Sequence, residues 1–238
     1  MMANDTATSP FLGRLKGDYA FLLVTLLSVF AIIPFLGSRP GIRWLLIAAV
    51  TLVLLASLVS IWEWRRLAIV TLAFGLISQI LASISLGGGF RTAGTAGNAL
   101  QLVFLVMITG SIFAGIMRSQ RVTMNTVFGA VCVYLLMVIC WASAFSLLEW
   151  VEPGSFSLEA WNDPSGATGP RGTDLQLTYF SLITLTTIGY GDITPLSPPA
   201  RILAGLEGLI GQLYLAIIIA RLVSMEIAAR MSRSSERR

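Results

Sequence analysis

Six long apolar runs divide the chain, at about residues 19–37, 44–62, 67–86, 99–117, 125–148 and 200–224, and the charged residues gather between them and at their ends. Each run is near the ~20 residues that a helix needs to cross the hydrocarbon layer of a bilayer, so the pattern predicts six transmembrane helices. A further apolar stretch is shorter. Thr173-Asp174-Leu175-Gln176 has the form of a capping box, a Thr N-cap with Gln three residues on. It predicts a helix over 174–186 that carries Leu175, Thr178, Tyr179, Leu182, Ile183 and Leu185. Its three or so turns cannot span a membrane, and a re-entrant half-helix fits, because irregular backbone at membrane depth is tolerated only within protein or beside a watery cavity.

Composition agrees with an all-α integral membrane protein. The chain is 55% hydrophobic and 12% charged, against ~25% charged in a soluble domain. Arg14 and Lys16 precede the first run, as they would in a signal peptide, but that run is long and no A-x-A site follows; a retained helix is expected. The net charge of +4 is spread over the ends of the runs and forms no patch, which argues against nucleic acid. There is no His, and Cys132 and Cys140, eight residues apart in the fifth run, are read as packing residues, not as a disulfide or a metal site. No Walker loop, Ser/His/Asp set or paired-carboxylate site is visible. The expectation is a non-enzyme without a cofactor.

Candidate chemistry is concentrated in Thr187-Ile188-Gly189-Tyr190-Gly191-Asp192. A desolvated cation needs oxygens in place of its hydration shell. An ordinary strand cannot aim successive carbonyls at one axis, but glycine at φ > 0 carries no Cβ penalty. Gly189 and Gly191 around Tyr190 therefore allow the carbonyls of Thr187, Ile188, Gly189 and Tyr190 to face one way, and the Thr187 hydroxyl adds an oxygen at the inner end. Ile188 and Tyr190 would point away and wedge the loop against surrounding protein.

This segment resembles the selectivity filter of the tetrameric potassium channels, and residues 125–224 resemble their pore module: outer helix 125–148, turret 149–173, pore helix 174–186, filter 187–192 and inner helix 200–224. The resemblance implies passive conduction of K+ ions, which are held in the filter with no other cofactor. It also implies a homotetramer, since the chain carries one filter. Related potassium-transporter subunits carry four degenerate repeats per chain. At the outer mouth the family usually gives Asp192 a hydrogen-bond donor, here Tyr179. Ile183 stands where some members carry a pore-helix Glu. Gly211, nineteen residues beyond Asp192, falls where inner helices often carry a gating hinge, and Arg201 matches a basic position of two-span members.

An outward-facing filter places both termini in the cytoplasm. Eleven basic residues then lie inside (Arg14, Lys16, Arg65, Arg66, Arg118, Arg121, Arg221, Arg230, Arg233, Arg237, Arg238) and five outside (Arg39, Arg43, Arg91, Arg171, Arg201), as the positive-inside rule requires. Trp44, Trp62, Trp64 and Trp150 stand near run ends as interfacial anchors. Residues 1–18 form a cytoplasmic segment, 19–117 a four-helix membrane domain, 118–124 a linker and 225–238 a basic tail suited to anionic lipid headgroups. The fourth run has no charge, so 19–117 lacks the arginines of a voltage sensor. No nucleotide- or calcium-binding domain is expected after the sixth run, and the regulatory partner is unknown. Fifteen Arg to one Lys in a compact chain point to a prokaryotic plasma membrane.

Several readings stay open. Glu207 is either a buried carboxyl hydrogen-bonded behind the filter or an interfacial acid near Arg201; an acid within a span is a functional candidate by default. Gly205 and Gly208 are assigned to packing on the pore helix, and Gly211 to hinge or packing. Gln212 faces a cavity or pairs between helices. The turret acids Glu149, Glu152, Glu159 and Asp163 either concentrate cations at the mouth or belong to a solvated loop. For the chain as a whole, the alternatives are a non-selective cation channel and a non-conducting scaffold or sensor that retains a pore fold.

Overall fold

Two helix ends, at Ser119 and Thr123, frame the first packing unit. The computed structural model describes residues 19–32, 73, 75, 77, 91–119, 123–158 and 170–235. Helix α1 is Tyr19–Ile32, α2 Arg91–Arg118, α3 Met124–Val151, α4 Pro170–Leu185 and α5 Pro198–Ser235. At the end of α2 the amide of Ser119 is shared between the carbonyls of Gly115 and Ile116, both at 3.2 Å. Thr123 then caps α3: its hydroxyl accepts from the Thr126 amide at 3.2 Å, and its own amide donates to the Thr126 hydroxyl at 3.4 Å. The two 28-residue helices form an antiparallel hairpin.

Among the described residues, Thr95–Arg118, Met124–Val151 and Pro198–Ile227 are long and apolar enough to cross a membrane. The expected run at 19–37 is helical over Tyr19–Ile32; 33–37, the run at 44–62 and most of 67–86 lie outside the described residues.

Helix α1 lies on α3 through a close approach. A Cβ on Gly129 would stand 2.8 Å from the Tyr19 ring, so only glycine admits the ring there. The Tyr19 amide donates to Asn125 Oδ1 at 2.7 Å. Leu22 and Leu26 of α1, Phe104, Leu105, Ile108, Ile112 and Ile116 of α2, and Cys132, Val133 and Leu136 of α3 make one core, which Tyr214 and Ile218 of α5 join. A second core surrounds the far half of α3: Phe145, Phe156, Leu177, Phe180, Ile193, Ala200 and Ala204.

Two helix bounds differ from expectation. Helix α4 begins at Pro170 and not at Asp174, and ends at Leu185; proline is pre-organised for the first helical turn, where its missing N–H is no loss. Helix α5 begins at Pro198, with Ser197 as its cap, the hydroxyl accepting from Ala200 at 3.4 Å. It continues through the stretch expected as a tail to Ser235, because no Gly or Pro interrupts 212–235. Its buried positions Ala200, Ala204, Glu207, Gly211, Tyr214 and Ile218 form one narrow stripe. Ile202, Leu206, Leu209, Ile210, Leu213, Ile217 and Ile219, off that stripe, are exposed.

Candidate functional site

A helix leaves its last four carbonyls without intrahelical partners, and at the end of α4 all four are taken up. The Thr186 amide and hydroxyl reach Leu182 O at 3.1 and 2.6 Å, and the Thr187 amide reaches Thr184 O at 3.0 Å. The amides of Ile188 and Gly189 converge on Ile183 O at 2.9 and 3.1 Å. The fourth carbonyl, Leu185 O, receives the Tyr134 hydroxyl from α3 at 3.0 Å. Residues 186–189 are thus tied to the helix end from which they emerge.

From Thr187 to Gly191 φ alternates in sign. Thr187 is at 60°, Gly189 at 53° and Gly191 at 78°, while Ile188 and Tyr190 between them are not positive. The glycines were expected there, but Thr187 was not. A β-branched residue in the left-handed region is an outlier of the kind that costs ~1–3 kcal/mol and collects at functional sites. Nothing in the sequence distinguishes Thr187 from a threonine of ordinary backbone. The expected wedging of Ile188 and Tyr190 is not met among the described residues, where they are 53% and 72% exposed.

Beyond the glycines the Tyr179 hydroxyl donates to Asp192 Oδ2 at 2.8 Å, and this bond pushes the Tyr179 phenol up to about 12. The chain then pairs with the loop after α3. Ser157 N donates to Thr194 O at 2.9 Å and Leu196 N to Ser155 O at 2.8 Å, while the Ser157 and Thr194 hydroxyls meet at 2.9 Å. Glu149 closes that loop from below, accepting from Gly154 N at 2.7 Å and Phe156 N at 3.2 Å. Its carboxylate therefore serves the turn; Glu159 and Asp163 lie outside the described residues. Arg201 Nε donates to Pro195 O at 3.3 Å.

Behind this segment Glu207 is fully buried. Its Oε1 meets the Ser181 hydroxyl of α4, which also bonds Val138 O of α3 at 2.9 Å. One carboxyl, one hydroxyl and one carbonyl thereby join three helices. Ile183 is buried and offers no second carboxyl. A Cβ on Gly211 would stand 2.8 Å from Leu185 Cδ1 and 3.0 Å from Leu185 O, whereas a Cβ on Gly205 or Gly208 meets nothing within 4 Å. Among the described residues the glycines assigned to packing are thus open, and the hinge candidate is the one in close contact. Gln212 is exposed. Sequence reasoning missed Tyr134, Ser181 and Tyr214; the available signal was a hydroxyl-bearing side chain inside an otherwise apolar run.

Residues 133–227 match a family model described as an ion channel. The chain is 44% identical over 46 residues to the potassium voltage-gated channel protein shk-1 of Caenorhabditis elegans, covering 19% of this chain and 9% of that protein. It is 38% identical over 72 residues to the two pore potassium channel c of Oryza sativa subsp. japonica, covering 30% and 14%. Only a small part of either relative is therefore spanned. Protein LctB of Geobacillus stearothermophilus is 30% identical over 122 residues, 51% of this chain and 87% of LctB.

Proposed function

We propose that this chain, which belongs to the ion channel family, is one subunit of a homotetrameric potassium channel that passes K+ passively across a prokaryotic plasma membrane, with both termini cytoplasmic. The observation that carries the reading is the alternation of φ sign from Thr187 to Gly191, on a segment fixed to the end of a helix too short to span. Alternating left- and right-handed residues turn successive carbonyls toward one side, as replacement of a hydration shell demands. The residues proposed to bind K+ are Thr187, Ile188, Gly189, Tyr190 and Gly191, through their carbonyls and the Thr187 hydroxyl. Tyr179 and Asp192 hold the outer mouth.

Four copies are needed because one chain supplies one such segment, and the exposure of Ile188, Tyr190 and the apolar flank of α5 is the surface that further copies would cover. The short helix aims its partial negative end at the ion path. Glu207, Ser181 and Val138 O hold α3, α4 and α5 together behind it. Residues 19–117 complete a six-span subunit without a voltage-sensing helix.

The test is the reversal potential of the purified protein in planar bilayers under opposed K+ and Na+ gradients, with Gly189→Asp as control. A value near the K+ equilibrium potential, lost in the variant, is expected. A value near zero with current flowing overturns selectivity, and silence with no K+-dependent thermal stabilisation of the tetramer overturns the channel reading in favour of a scaffold.

A further inference from the structure

We infer that Tyr134 and Gly211, on two different helices, form a joint seat for the Leu185 carbonyl and thereby position the base of the ion-binding segment. The inference rests on the channel reading above and assigns roles to two residues outside the TIGYGD segment.

Leu185 is the last residue of α4, and its carbonyl has no partner within the helix. Tyr134, in the middle of α3, gives it a hydroxyl at 3.0 Å. Helix α5 also comes so close that a Cβ at 211 would sit 3.0 Å from the same oxygen and 3.1 Å from Leu185 Cγ. The two supports are joined to each other. Tyr214, one turn beyond Gly211, stacks on the Tyr134 ring with centroids 5.9 Å apart and planes at 26°. Its hydroxyl is fixed on Ala130 O of α3 at 2.7 Å.

The seat has a mechanical consequence. Two residues after Leu185 stands Thr187, held at φ 60°, and a residue kept in a sparsely populated region persists only where its surroundings over-determine it. Movement of α5 at Gly211 bears directly on Leu185 O. Tyr134 restrains the oxygen, so the displacement is passed to the start of the ion-binding segment. A methyl at 211 does the same statically: the flexible Leu185 side chain can yield, but its backbone oxygen yields only by leaving the Tyr134 hydroxyl.

The experiment is a double-mutant cycle of Gly211→Ala and Tyr134→Phe. It is read by the K+-over-Na+ permeability ratio and by the gain in tetramer melting temperature in K+ relative to Na+. Tyr134→Phe keeps the ring and its stack and removes only the hydroxyl, so it yields a folded protein if either variant does. It is expected to lower the permeability ratio about fivefold, the equivalent of one hydrogen bond at about 1 kcal/mol. Gly211→Ala should lower it similarly, and the double variant little further, because both act on one oxygen. Additive effects, or a Gly211→Ala variant that alters opening alone and leaves the ratio intact, overturn the seat in favour of a free hinge. A selective wild type with unaffected variants overturns only this inference, whereas a wild type without K+ dependence in either measurement overturns the channel reading beneath it.

Discussion

The two ends of α3 are built on different principles. Near the TIGYGD segment, Phe145, Phe156 and Phe180 meet edge to face in a closed triangle, with centroids 5.3, 5.3 and 5.4 Å apart and angles of 62–64°. Hydroxyls and amides of residues 155–157 and 194–197 lock around it. At the other end, α3 meets α1 and α2 mainly through aliphatic side chains and the close approach at Gly129, with the Tyr19 amide on Asn125 Oδ1 and the Thr109 hydroxyl beside Cys140 Sγ. Aromatic edges and hydrogen bonds fix angle as well as distance, whereas aliphatic packing sets mainly separation. The region proposed to select ions is therefore fixed in angle as well as distance, and the region joining it to the rest of the chain relies more on apolar separation.

The comparison can be broken at several points. Phe145→Ala removes a fully buried ring with partners on α4 and the outer loop, and thermal unfolding should show a loss of about 3–5 kcal/mol. If Leu136→Ala, in the aliphatic core, costs as much, the outer end has no special stiffness. Ser181→Ala strips partners from both Val138 O and Glu207. Leaving the buried Glu207 carboxyl unsatisfied should cost about 1–3 kcal/mol, and unchanged stability would count against the three-helix junction. Gly129→Ala forces the Tyr19 ring away at about 1–2 kcal/mol. Hydrogen exchange should then quicken across 19–32 and stay constant across 175–193; quickening in both would show that the two ends are not separate. The smallest effect is expected from Tyr179→Phe, about 0.5 kcal/mol. The Tyr179 phenol lies above its usual 10, at about 12. Its hydrogen-bond contribution is therefore full below pH 10 and lost as pH rises through about 12. Ultraviolet titration of the tyrosines checks this, since the variant should titrate one tyrosine fewer around pH 12.

Periodic features were legible in the sequence. The apolar runs over 99–117, 125–148 and 200–224 correspond to helices, and the capping box at Thr173 marks the vicinity of α4, although Pro170 is the actual start. What depends on pairwise approach was not legible. The acid at 207 could be recognised as unusual, but its burial on Ser181 follows from how α4 leans on α5. The glycine stripe at 205, 208 and 211 looks uniform, yet only Gly211 faces another element closely. Thr187 carries no sequence mark of its positive φ, because that conformation is imposed by bonds to Ile183 and Thr184 upstream.

Helix α5 runs unbroken for 38 residues, about 57 Å at 1.5 Å per residue, nearly twice the ~30 Å hydrocarbon thickness. It is a beam seated against Leu185 at Gly211, more than three turns in from its start at Pro198. Partway along, Arg221 clamps it to the end of α2 by donating to the carbonyls of Met117 and Ser119. Beyond that clamp the remaining turns form an overhang, and a small tilt at the clamp becomes a wide sweep at its tip. The same stiffness works in reverse: a load on the overhang is delivered along the rod toward Gly211 without a flexible link to absorb it.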